Sequence, residues 1–101
     1  MGATIYVLPG APWSRRVRGA LANDLARAFP ERAHAVLIPR IDDGYSVSVR
    51  APLRTRTGAD ALCRRFPTGG GRAAAAGINH LPADQLSELV RRMDRAYPGT
   101  R

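Results

Sequence analysis

A chain of 101 residues, 45% of them apolar, is long enough for one modest core and is read as a single domain, residues 1–101. No run approaches the length of a membrane span, and the lone cysteine, Cys63, excludes an internal disulfide and fits a reducing, cytoplasmic setting. Sixteen basic residues, all arginine, stand against eight acidic ones, and the resulting net charge of +8 favours an acidic ligand without naming it.

Thr4 to Leu8 is a β-prone run stopped by Pro9-Gly10, and it reads as an edge strand or the tail of a linker. Pro12 suits the first turn of a helix. Behind it Trp13, Val17, Leu21, Leu25 and Phe29 recur every four residues, with Ala20 and Ala28 alongside, which predicts a buried stripe. Pro30 ends that helix. Arg16, Asn23 and Arg27 share another face and read as solvent-facing, although the two arginines can reach an anion.

Ala35 to Ile38 and Tyr45 to Arg50 flank a turn containing Asp42-Asp43-Gly44, a pattern that predicts a β-hairpin. In the second strand Tyr45, Val47 and Val49 point one way and Ser46, Ser48 and Arg50 the other. Ser48 and Arg50 therefore share a polar face at the strand's end. Pro52 breaks the strand, a loop carries Arg54 and Arg56, and Thr57 can cap a helix from Ala59 to Phe66 with Ala59, Leu62, Cys63 and Phe66 inward.

Thr68-Gly69-Gly70-Gly71-Arg72 follows. Three glycines leave backbone N–H groups free to converge on one point, which is how concave anion sites arise, and the Arg72 guanidinium supplies forked donors for a phosphate. A flexible helix-to-strand connection is the alternative. The formal dinucleotide pattern fails because a helix and Pro67, rather than a strand, precede the glycines; a P-loop fails for want of any lysine. Ala76 to Asn79 is a further strand. Pro82 opens a last helix in which Leu86, Leu89, Val90, Met93 and Tyr97 fall on one face, and Pro98-Gly99 closes it. The order β-α-β-β-α-β-α predicts an α/β (α+β) domain with a central mixed sheet of about four to five strands and three helices.

Catalytic chemistry is not evident. His34 and His80 lie far apart, Cys63 sits on an apolar face, Asp42-Asp43 suits a turn, and Asp60, Asp84 and Glu88 occupy helical first turns. No catalytic residue and no metal ligand set is assigned to this chain.

Ser46-Val47-Ser48-Val49-Arg50, a short helix ending at Phe66, and Gly69-Gly70-Gly71-Arg72-Ala73-Ala74-Ala75-Ala76-Gly77 together resemble the C-terminal, DHH-associated domain of the DHH phosphoesterases, a module related to one in alanyl-tRNA synthetases. The resemblance spans about Ala35 to Tyr97. It implies an exopolyphosphatase-like hydrolase whose substrate domain grips a phosphorylated small molecule, nucleotide or short oligonucleotide through Ser48, Arg50, Thr68, Gly69, Gly70, Gly71 and Arg72. It further implies a separate N-terminal catalytic domain in cis that carries manganese and performs the hydrolysis. Arg72 stands where the family has histidine, and Ala51 where it has serine. The alternative function is a stand-alone basic nucleic-acid-binding module, against which the small number of aromatics (Trp13, three tyrosines and two phenylalanines) and the burial expected for Trp13 and Phe29 argue by removing stacking platforms. A structural reading has the glycines only permitting tight helix–strand packing.

Overall fold

A computed structural model describes residues 2–99. Five strands form one mixed sheet: β1 (Gly2–Val7), β2 (Arg32–Pro39), β3 (Tyr45–Arg50), β4 (Gly69–Gly71) and β5 (Ala75–Leu81), in the spatial order β1-β2-β3-β5-β4. Helices α1 (Pro12–Ala28), α2 (Ala59–Cys63) and α3 (Leu86–Ala96) complete the α+β fold, and a 3₁₀ turn (Ala83–Gln85) leads into α3. The order is the one expected, with the glycine run added as a short strand.

β1 is an edge strand parallel to β2, and the connection between them is α1, as a parallel pair requires. The predicted hairpin forms, with β2 and β3 antiparallel and His34 opposite Arg50. On the sheet face carrying Val47 and Val49, the main core gathers Ala35, Leu37 and Ile78 beneath Leu62, Cys63 and Phe66, with Leu89, Met93 and Tyr97 from α3 and beyond. Tyr97 Oη donates to the Thr57 carbonyl at 2.8 Å, tying the end of α3 to the approach to α2. Burial pushes the Tyr97 phenol up to about 12 and the Cys63 thiol likewise to about 12, so neither ionises near neutrality.

Two readings of helices are corrected. In α1 the buried residues are Ser14, Ala22 and Ala26, while Trp13 (47% exposed), Val17 and Phe29 face outward. The stripe is rotated by about one residue because small side chains let α1 lie close on β2, over Val36 and Ile38. Ser14, a polar residue in that face, is satisfied by donating to the Pro9 carbonyl at 2.6 Å. α2 ends at Cys63 rather than Phe66, and its N-cap is Gly58 (φ 93°), not Thr57. Val90, expected inward on α3, is exposed.

Candidate nucleic-acid interface

The face of the sheet opposite the main core is only partly covered. α1 packs over β2 and part of β3, leaving the β5–β4 side open. Cross-strand register places Ser48, Gly77 and Gly70 in one row and Arg50 and Ala75 in the next. Arg72 continues that second row, its N–H donating to the Ala75 carbonyl at 2.9 Å. Alternation along the strands then puts Ser48, Gly70, Arg50 and Arg72 on the same face.

Arg50 is anchored toward α1: its Nε donates to Asn23 Oδ1 at 3.0 Å and its Nη1 to the Val49 carbonyl at 3.2 Å. Burial lowers the Arg50 pKa, and the charges of Arg18 and Arg72 lower it further, so both of these guanidiniums lie within electrostatic reach of Arg50. A cleft of about 200 Å³ at this corner is lined by Asn23, Arg27, Arg50, Leu53, Ala74 and Ala75. Arg27 is ion-paired with Asp24 on α1. The gathering of fixed cations beside an open polar face offers forked donors to phosphates.

The glycine run does not build a concave anion site. Gly69 N–H donates to the Phe66 carbonyl at 2.9 Å, and the bonds at Thr68–Asn79 and Arg72–Ala75 leave Gly70 and Gly77 as the hydrogen-bonded pair between them. Ladder alternation leaves the Gly71 N–H on the outer edge of β4. Its carbonyl accepts from Arg64 Nη2 at 3.3 Å. Two of the three glycines have packing reasons: a Cβ at Gly69 would overlap the Cys63 carbonyl oxygen, and Gly71 combines φ +136° with Ala76 Cα 2.5 Å from any Cβ. Gly70 faces open space. The Thr68 hydroxyl is engaged with the backbone, accepting from His80 N–H at 2.8 Å and donating to the His80 carbonyl at 3.0 Å.

The sequence points to Arg50 and Arg72 and reads Asn23 and Arg27 as solvent-facing; both are exposed, and both also line the Arg50 corner. Arg18 carries no sequence signal of its own. The signal for Asn23 and Arg27 is their shared helical face, and it becomes informative only because that face borders β3.

No protein-family model and no curated protein matches this chain. One solved structure similar in fold is the C-Ala domain of the alanyl-tRNA synthetase from Aquifex aeolicus, with a TM-score of 0.72 and 18% identity over 96% of this chain and 91% of that one. The likeness extends over the whole fold. It overturns the assignment to the DHH-associated domain, and with it the phosphoesterase and exopolyphosphatase-like reading. In this fold the glycine run is a short paired edge strand, with the Gly69 N–H bonded to the Phe66 carbonyl and Gly70 paired with Gly77, rather than a loop whose amides converge on one point. The manganese expectation concerned a separate domain; among the described residues no three His, Cys, Asp or Glu side chains gather to hold a metal. No helix among those residues is long and apolar enough to cross a membrane.

Proposed function

We propose that this chain is a nucleic-acid-binding module that takes a structured RNA on the open face of β3, β5 and β4. The observation that carries this reading is the row Arg50–Ala75–Arg72, with Arg18 and Arg27 beside it, on a surface whose residues at Ser48, Gly77 and Gly70 are too small to hold a backbone away. Arg50 and Arg72 contact phosphates, and Ser48 and Gly70 form the floor between them. Thr68, Gly69 and Gly71 maintain the β4 edge rather than touch the ligand. The fold neighbour is a domain of an enzyme named for tRNA, which makes tRNA the RNA to test first and a companion domain in cis a natural arrangement. Trp13 and Phe29 are exposed rather than buried, which answers one of the two objections to stacking, the other being how few aromatics the chain has. Cys63, free and buried, suits the cytoplasm, where tRNA is found.

The test is fluorescence anisotropy with a labelled tRNA, a DNA duplex and a single-stranded oligonucleotide across a salt series. tRNA binding is expected to weaken steeply with salt, and the double variant Arg50→Ala/Arg72→Ala to reduce the log–log slope by about 0.7–0.9 for each phosphate no longer neutralised. Unchanged affinity and slope in that variant would remove the face from consideration.

A further inference from the structure

A second arginine cluster lies on the other side of the sheet, where α2 and α3 pack. There a cleft of about 260 Å³ has Gly58, Ala61 and Ala96 among its walls and Arg65, Arg92 and Arg95 around it. Glu88 Oε2 lies 2.9 Å from Arg92 Nε, but the same carboxylate also accepts from Arg91 Nη2 at 2.5 Å. Among the described residues neither Arg65 nor Arg95 has a carboxylate within ion-pair distance. Three guanidiniums around one small cavity, of which only Arg92 has a carboxylate and shares it with Arg91, leave at least two positive charges without a partner among the described residues.

We propose that this cleft binds a nucleotide carrying a terminal phosphate, either free or at the end of a nucleic-acid strand. The charge left on the rim matches a phosphomonoester dianion better than a single carboxylate. Small, flat-walled residues leave room for a planar ring, over which a guanidinium stacks. The cavity holds at most one nucleotide rather than a longer segment, being a little smaller than the usual range for small-molecule sites. Gly58 helps to set the wall: it has φ +93°, and a Cβ there would come within 3.0 Å of Tyr97 Oη. The site is independent of the RNA-binding reading, because the Arg50–Arg72 row and this cleft lie on opposite faces of the sheet.

Isothermal titration of the 101-residue chain with AMP, adenosine and inorganic phosphate at low salt tests the site. AMP is expected to saturate one site per chain, with adenosine and phosphate each bound about tenfold more weakly or less. Arg65→Ala/Arg95→Ala should weaken AMP about tenfold or more, whereas Arg50→Ala/Arg72→Ala should leave it unchanged. Ala61→Glu, at an exposed helical position and with its fold checked by circular dichroism, should block AMP by placing a carboxylate in the cleft. RNA tetramers with and without a 5′-phosphate distinguish the sources. Tighter binding of the phosphorylated tetramer than of AMP assigns the site to a strand end, and equal or weaker binding assigns it to the free nucleotide. The proposal is overturned if AMP does not bind, if phosphate alone binds as tightly, or if AMP affinity survives both Arg65→Ala/Arg95→Ala and Ala61→Glu.

Discussion

Arg50 and Asn23, 27 positions apart, are joined by a 3.0 Å hydrogen bond from the guanidinium Nε to the amide Oδ1. The bond ties the end of β3 to the flank of α1 and uses an inner donor of the guanidinium, leaving Nη2 with no hydrogen-bond partner among the described residues. The consequence is a fixed cation rather than a wandering one. Loss of a single hydrogen bond of this kind is worth about 1 kcal/mol.

Asn23→Ala should therefore weaken tRNA binding by about fivefold while moving the urea midpoint little, because Arg50 keeps its charge but loses its orientation. Arg50→Ala removes both and should cost more than Asn23→Ala. Arg50→Lys restores charge without the planar fork and should fall between them. Equal affinities for Asn23→Ala and the parent chain, measured by anisotropy, would show that the orientation of Arg50 is irrelevant to binding.

Adjacent glycines should respond in opposite ways. Gly69→Ala drives a Cβ into the Cys63 carbonyl at the end of α2, and neither backbone can yield without opening the β4–β5 pair; a loss of about 3 kcal/mol is expected. Gly70→Ala meets open space and should change stability by no more than about 0.5 kcal/mol. Urea unfolding of the two variants decides whether the glycine run serves packing at one position and surface access at the next.

That contrast also marks how far the residues alone can be read. The hairpin from Ala35 to Arg50 is legible because alternation in Tyr45–Arg50 and the Asp-Asp-Gly turn both act locally. The same alternation correctly puts Ser48 and Arg50 on one face. The glycine strand is not legible, since glycine lacks strand propensity and β4 exists only because β5 and the end of α2 leave a slot for backbone. The α1 stripe misleads for a related reason: Trp13, Val17 and Phe29 have helical spacing, but a helix lying on a sheet is positioned by how closely it can approach, which favours Ser14, Ala22 and Ala26. The membership of Asn23 and Arg27 in the Arg50 corner depends on a contact between elements that no local pattern encodes.

The rotated stripe predicts an inversion of the usual cost of mutation. Trp13→Ala, at a residue 47% exposed, should cost less than about 1 kcal/mol, while Ala22→Leu, at a residue 0% exposed, should cost about 1–3 kcal/mol by forcing α1 off β2. Thermal or urea unfolding measures both. A larger loss for Trp13→Ala than for Ala22→Leu would return the burial to the face that periodicity favours.

His34 predicts the acid side of the stability profile. It is fully buried, with Nδ1 2.7 Å from Thr4 Oγ1 and Nε2 3.2 Å from the Phe29 carbonyl. Because that carbonyl can only accept, the neutral ring carries its proton on Nε2 and Nδ1 accepts from the Thr4 hydroxyl. Burial lowers the His34 pKa below the ordinary 6.5, an effect only partly offset by the Phe29 hydrogen bond. The unfolded chain therefore takes up the proton first, and protonation favours unfolding. Stability should be level above about pH 7.5, begin to fall as pH drops through the ordinary histidine range, and continue falling until the folded-state pKa is reached, with a slope of at most about 1.4 kcal/mol per pH unit. Asp42, held down to about 2 by Arg40, titrates well below this window and does not confuse it. His34→Gln keeps a donor for Phe29 and an acceptor for Thr4 but cannot titrate, so the difference between its urea midpoints at about pH 7.5 and about pH 5.5 should be smaller than in the parent chain. His80 is present in both proteins and cancels in the comparison. An identical pH dependence in the two would mean that the buried imidazole is not what acid attacks.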